Sequence, residues 1–106
     1  MQPLLTKLYE ALSGICPRVH HFVAIKPQVP YIIYAEDSGT DLVLNGSHVE
    51  RGIQGTIDLY TKRDMDPLME NIPNALEEAG ILYKFNSAQY EDETGLIHYE
   101  WVFEVI

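Results

Sequence analysis

Residues 51–79 read RGIQGTIDLYTKRDMDPLMENIPNALEEA. Apolar residues recur first at every second position: Ile53, Ile57 and Leu59 share one face, and Gln54, Thr56 and Asp58 the other. After Asp66 the period lengthens, and Leu68, Ile72, Ala75, Leu76 and Ala79 fall on one face of a helix. The stretch therefore predicts a half-buried strand, a charged turn at Lys62-Arg63-Asp64 and an amphipathic helix. Asp66-Pro67 has the chemistry of an N-cap followed by proline at the first helical position, and Gly80 ends the helix. Pro73 lacks the N–H that would bond to Met69 and is expected to kink or split the helix. Gly52 and Gly55 point to a bulge or a close backbone approach. No catalytic pattern runs through this segment. It reads as scaffold, in a protein that works by presenting surfaces.

The flanks extend the same reading. On the N-terminal side, Leu4, Leu8 and Leu12 recur at helical spacing, so Pro3–Ser13 is a first helix capped at Gly14. Val19–Ile25 is a weak extended segment. Tyr31-Ile32-Ile33-Tyr34-Ala35 is a strand apolar on both faces, hence central in a sheet. Asp37-Ser38-Gly39 is expected to turn, and Asp41–Leu44 to form a short strand ending at the hairpin signal Asn45-Gly46. Ser47–Glu50 is not a clean partner strand, so an irregular hairpin arm is expected there. On the C-terminal side, Ile81–Tyr90 and Leu96–Ile106 form a strand pair around the acidic tip Glu91-Asp92-Glu93. In the last strand Ile97, Tyr99, Trp101, Phe103 and Val105 share a face, with His98, Glu100 and Glu104 on the other. The predicted fold class is α+β. A mainly antiparallel sheet of four to five strands carries two helices on one face, in the order α-β-β-β-α-β-β, within one domain spanning residues 1–106.

Composition narrows the function. At 106 residues and 46% apolar content the chain suits one modest core. No apolar run is long enough to suggest a membrane span, and the N-terminus lacks the apolar stretch of a signal peptide, so cytoplasmic synthesis is expected. Cys16 is the sole cysteine, read as a small buried apolar side chain. The net charge of −9 is lopsided. Residues 1–35 carry three basic and one acidic group, and residues 36–106 four basic and fifteen acidic. Clustered Lys and Arg of the kind that bind phosphate are missing. The acidic excess suits solubility, or a surface that duplex DNA passes without sticking.

The sequence assigns no catalytic residue, metal ligand or cofactor. His20 and His21 are adjacent in an extended segment, so they point to opposite faces and do not readily share an ion with Cys16. His48 and His98 have no local partner motif. The acidic runs Glu91–Glu93 and Asp37–Asp41 lack cation-loop spacing and read as solvated turns. The many carboxylates give no sign of converging as an acid–base pair would. Seven tyrosines are many for this length. Tyr31 and Tyr99 are taken by core packing, with Trp101 and Phe103. Tyr34, Tyr60 and Tyr90 fall on the alternate faces of their strands, as candidate contact residues.

Three segments carry a resemblance. Pro30-Tyr31-Ile32-Ile33-Tyr34, then Ile57-Asp58-Leu59-Tyr60, then the helix Leu68–Ala79 resemble, over about Pro30 to Ile81, the tail completion (tail terminator, head–tail joining) proteins of long-tailed bacteriophages and prophages. The resemblance implies a non-enzymatic subunit, without cofactors, that assembles with itself into a ring, often a hexamer. The ring would cap the tail tube protein, stop tail growth and join the tail to the head connector protein. DNA would pass through without specific binding, and the protein would reside in the virion at the head–tail junction. On that reading Arg51, Tyr34, Tyr60, Lys62, Arg63 and Tyr90 are candidate interface residues. Glu36, Asp37, Asp41, Glu91, Asp92 and Glu93 are candidate channel-lining acids. Two rivals follow from the charge and the fold class. One is an acidic phage decoy that occupies a host DNA-binding protein. The other is a small α+β enzyme or ligand-binding domain, which requires a deep pocket with convergent His and acidic side chains.

Overall fold

The computed structural model describes residues 3–44 and 48–106, leaving out the side chains of Pro3 and of residues 38–51. Seven elements follow one another: α1 (Pro3–Ser13), β1 (Val19–His21), β2 (Tyr31–Leu44), β3 (His48–Thr61), α2 (Leu68–Glu78), β4 (Leu82–Glu91) and β5 (Leu96–Val105). The strands form one sheet in the order β1-β2-β3-β5-β4. β1 runs parallel to β2, and every other pairing is antiparallel. The α+β class and the element order are as the sequence predicts.

Alternation along the strands gives the sheet two unlike faces. Ile32 and Tyr34 of β2, Ile57 and Leu59 of β3, and Trp101, Phe103 and Val105 of β5 are buried on one of them. Leu5, Leu8 and Leu12 of α1 and Leu68, Ile72 and Leu76 of α2 close this core, joined by Cys16 and Ile81. Burying such a leucine or isoleucine stabilises by about 1.5–3 kcal/mol, so this layer holds the helices on the sheet. No helix packs on the opposite face among the described residues, and its side chains at Tyr31, Asp58, Tyr60, His98 and Glu100 are partly buried.

Several expectations need correction. Asp37-Ser38-Gly39 is not a turn, because β2 runs unbroken through it and only its register with β3 shifts, between Glu36 and Ser38. A bulge absorbs the residue that a turn would have used. Gly55 faces the shift. A Cβ there would lie 2.0 Å from the Ala35 carbonyl oxygen and 2.7 Å from Glu36 Cα, so only glycine fits. Asp41–Leu44 is not a separate strand, and His48–Glu50 pairs with Leu42–Leu44. Asn45-Gly46 lies outside the described residues. β1 stops at His21, short of the predicted Ile25, because Phe22 takes φ +68° and ends the extended run. α2 is continuous through Pro73. Ile72 and Leu76 are fully buried on either side of it, and their packing outweighs one missing hydrogen bond.

The β3–α2 connection is built as the sequence suggests. Pro67 already has helical angles, φ −55° and ψ −24°, and the Leu68 N–H donates to Asp66 Oδ1 at 2.9 Å. At the other end Gly80 takes φ +72°, and the Ile81 N–H reaches back to the Leu76 carbonyl at 2.9 Å, closing the helix in a Schellman-type turn. No described helix is long and apolar enough to cross a membrane.

The molecule measures 50 × 24 × 22 Å. A 14-residue strand spans roughly 45 Å, so β2 and β3 account for the long axis. β5 pairs with β3 only from Ile53 onward and β1 with β2 only at Ile32–Tyr34. Thr40–Leu44 and His48–Gly52 therefore pair with each other alone, as a two-stranded arm beyond the sheet.

Candidate functional site on the open sheet face

The open face collects aromatic and titratable side chains in cross-strand register. Tyr31, Tyr60 and His98 stand opposite one another on β2, β3 and β5. Their rings stack in sequence, with centroids 4.8 Å and 4.3 Å apart and planes within 15°. His20 of β1 extends the row, edge-on to Tyr31 at 6.3 Å. One position along, Asp58 lies between Ile33 and Glu100. His98 reaches diagonally across the strands, and its Nε2 lies 2.7 Å from Asp58 Oδ1. Thr56 Oγ1 donates to Asp58 Oδ2 at 3.4 Å, and Asn86 Nδ2 donates to Glu100 Oε2.

One ligand atom from each of Asp58, His98 and Glu100 lies within 4.8 Å of the others. Burial pushes the Asp58 carboxyl above its ordinary value, and the neighbouring Glu100 adds to the shift, while the His98 hydrogen bond opposes it. The same low-dielectric, anionic setting raises Tyr60 to about 12, through burial first and then Asp58. The face thus concentrates negative charge beside one imidazole. Among the described residues no lysine or arginine forms an ion pair with Asp58 or Glu100.

This grouping is absent from the expectations drawn from sequence. His98 does have partners, and two carboxylates do converge. The signal was present in the alternation, which puts Asp58 on one face of its strand and His98 and Glu100 on one face of theirs. It becomes legible only when β3 and β5, 40 residues apart at the Asp58–His98 contact, are known to be neighbours. The convergence is not a pocket. Among the described residues, the main depressions are lined by other side chains, such as one of about 350 Å³ lined by Gln54, Leu82, Tyr83 and Glu104.

The predicted interface residues scatter. Tyr60 lies on the open face, as read. Tyr34 does not: it is 1% exposed, in the core, between Tyr9 of α1 and the stacked ring of His21. Tyr31 takes the open-face place instead. Tyr-Ile-Ile-Tyr has the same hydrophobicity read with either face inward, so the local sequence could not choose between them. Tyr90 is 64% exposed on the edge strand β4, but opposite Ile97 and so on the helix side of the sheet. A register shift between Phe85 and Ser87 changes its face. Lys62 and Arg63 are exposed in the β3–α2 turn. Arg51 pairs with Asp41 across the arm backbone, and their side chains lie outside the described residues.

The predicted channel acids do not form one patch either. Glu36 and Asp37 belong to a strand, not a loop, and Glu36 Oε1 lies 2.6 Å from His21 Nε2. That hydrogen bond is the largest cause holding the Glu36 carboxyl below its ordinary value. Glu91 ends β4 near Tyr31, and Asp92 and Glu93 are exposed in the turn that follows. Tyr31 and Glu36 are five residues apart along β2, so the two acid groups are separated by roughly 16 Å of strand. His20 and His21 do face opposite ways, one toward Tyr31 and the other onto Tyr34.

No protein-family model matches the chain, and no curated protein matches it in sequence. A solved structure does match in fold. It is a chain of the virion of a native gene transfer agent (GTA) particle, which superposes with a TM-score of 0.55 over 96% of this chain and 89% of that one, at 16% identity. The likeness in fold extends over most of both chains.

Proposed function

We propose that this protein is a structural subunit of a phage-like virion, acting at the tail as a tail completion protein. Copies of the chain would close into a ring that caps the tail tube and joins it to the head connector. The observation that carries this reading is the match in fold, over most of both chains, to a chain of a gene transfer agent virion. The motifs Pro30–Tyr34 and Ile57–Tyr60 and the helix at Leu68–Ala79 supply the finer assignment to the tail.

The geometry supports assembly as the activity. β4 is an edge strand, exposed along most of its length, with Leu82, Phe85 and Tyr90 open to solvent. The two-stranded arm extends beyond the sheet, where it can reach a neighbouring subunit. The basic turn at Lys62 and Arg63 has a different sign from most of the surface, which suits a head-to-tail contact with an acidic partner. The acids at Glu36, Asp37 and Asp41 and at Glu91–Glu93 would come together across subunits to line the channel.

The test is assembly without the protein. Particles produced with this gene interrupted should show filled heads and detached tails, or tails of abnormal length, by negative-stain microscopy. Supplying the gene in trans should restore joined virions. Normal, infectious particles in its absence would refute the reading. Recovery of a stoichiometric complex with a host nuclease or repressor would favour the decoy instead.

A further inference from the structure

We propose that Asp58, His98 and Glu100 form a binding site for one first-row divalent transition-metal ion, with Zn²⁺ as the probe. The donor set is one imidazole nitrogen and two carboxylate oxygens, which suits Zn²⁺ and its neighbours better than an all-oxygen ion such as Ca²⁺. All three side chains project from adjacent, hydrogen-bonded strands of the open face, so a rigid scaffold sets their spacing. Their ligand atoms fall within 4.8 Å of one another. Tetrahedral Zn²⁺ holds such atoms about 3.3 Å apart, given bonds near 2.0–2.1 Å. Reaching that spacing takes side-chain rotation at two places: the 2.7 Å His98–Asp58 contact widens, and the carboxylate of the partly exposed Glu100 draws in.

Each ligand also touches a neighbouring side chain. The His98 ring is stacked on Tyr60, Thr56 donates to the far oxygen of Asp58, and Asn86 donates to Glu100. Such outer contacts characterise built metal sites. Charge favours the ion as well. The two carboxylates lie side by side on a protein of net charge −9, and among the described residues the histidine is their sole ion-pairing partner. To take up the ion, His98 Nε2 exchanges its hydrogen bond to Asp58 for a lone-pair bond to the metal, with the ring proton on Nδ1. Three protein ligands leave at least one coordination position for water.

The site is independent of the assembly reading and is tested on the isolated chain. After treatment with a chelator and its removal, calorimetric titration with Zn²⁺ should show saturable binding of one ion per chain. His98→Gln, which can still donate to Asp58, and Glu100→Gln should each weaken binding at least about tenfold. His21→Gln, at the separate His21–Glu36 pair, should leave it unchanged. In the unaltered protein, the imidazole nitrogens of His98 should shift on addition of Zn²⁺ in nitrogen-detected NMR, a readout that needs no variant. Absence of saturable binding, undiminished binding in His98→Gln, or unmoved His98 nitrogens would overturn the proposal.

Discussion

Asp66 illustrates how much one side chain can organise. It is 6% exposed, a rare setting for a carboxylate, and its two oxygens are used differently. Oδ2 accepts the Thr61 hydroxyl at 2.7 Å, and Oδ1 accepts the Leu68 N–H. Thr61 in turn accepts the Arg63 N–H at 3.1 Å. The pair thus ties the end of β3 to the start of α2, and the exposed turn between them is shaped from inside. Asp66→Ala would leave the Leu68 N–H uncapped and the buried Thr61 hydroxyl without its acceptor. The expected cost is about 2–3 kcal/mol, a fall in Tm of roughly 10 °C or more for a domain of this size. The exposed neighbour change Asp64→Ala should stay within about 0.5 kcal/mol. Thermal unfolding followed by circular dichroism separates the two, and equal effects would show that the turn is not organised by Asp66.

At the scale of elements, patterns within one segment were legible and pairings between segments were not. The periods of 2 and 3.6 placed both helices, the α-β-β-β-α-β-β order and the core residues Ile57, Leu59, Ile72 and Trp101. The Asp66 cap was readable because its cause is local, and Gly55 because a glycine inside a strand marks a close backbone approach before the partner is known. A hairpin arm was expected, but not that β2 runs unbroken into it, because polar residues at Asp37–Gly39 look like a turn when their partner strand is unknown. Asp58, His98 and Glu100 escaped notice for the same reason: alternation assigns each to a face, but only sheet order joins the faces. Pro73 misled in the opposite sense. A local penalty was read as decisive where burial of α2 on both sides of it governs. Gly55 is the position where local and long-range logic meet, since its missing Cβ lets the β2 backbone approach at the register shift. Gly55→Ala must push the strands apart there. We expect a loss of about 3 kcal/mol, at the upper end for overpacking because the obstacle is backbone. Gly14→Ala, where a Cβ would meet nothing nearer than 3.5 Å, provides the comparison. Urea unfolding of the two variants should show the larger drop in midpoint for Gly55→Ala; a drop of similar size in both would sink the argument.

For the whole molecule, the decisive asymmetry lies between the two faces of the sheet. One is a dry aliphatic and aromatic layer beneath two helices, and the other is a half-buried band of tyrosines, histidine and carboxylates. Tyr31 and Tyr60 of the second band have their phenol pKa raised, Tyr31 by burial and then by Glu91, and Tyr60 by burial and then by Asp58. Tyr34 on the core face is raised by burial and then by Tyr9. A folded-state value above the unfolded one means that the fold favours the protonated phenol. The stability so contributed is complete below the unfolded value near 10.0 and is lost as pH rises through the folded value, about 12 for Tyr60. The net charge of −9 acts in the same direction, since each new tyrosinate adds to the self-repulsion of an already anionic chain. The Tm should therefore be nearly flat from neutral pH to about pH 9.5 and fall steeply beyond pH 10. In Tyr60→Phe the alkaline fall should be shallower, because that ring no longer has a proton to lose on unfolding. Ultraviolet tyrosinate absorbance of the folded protein should at the same time lose its component near pH 12. An alkaline limb unchanged in Tyr60→Phe would mean that Tyr60 titrates normally, and that the open face is wetter and less anionic than its geometry indicates.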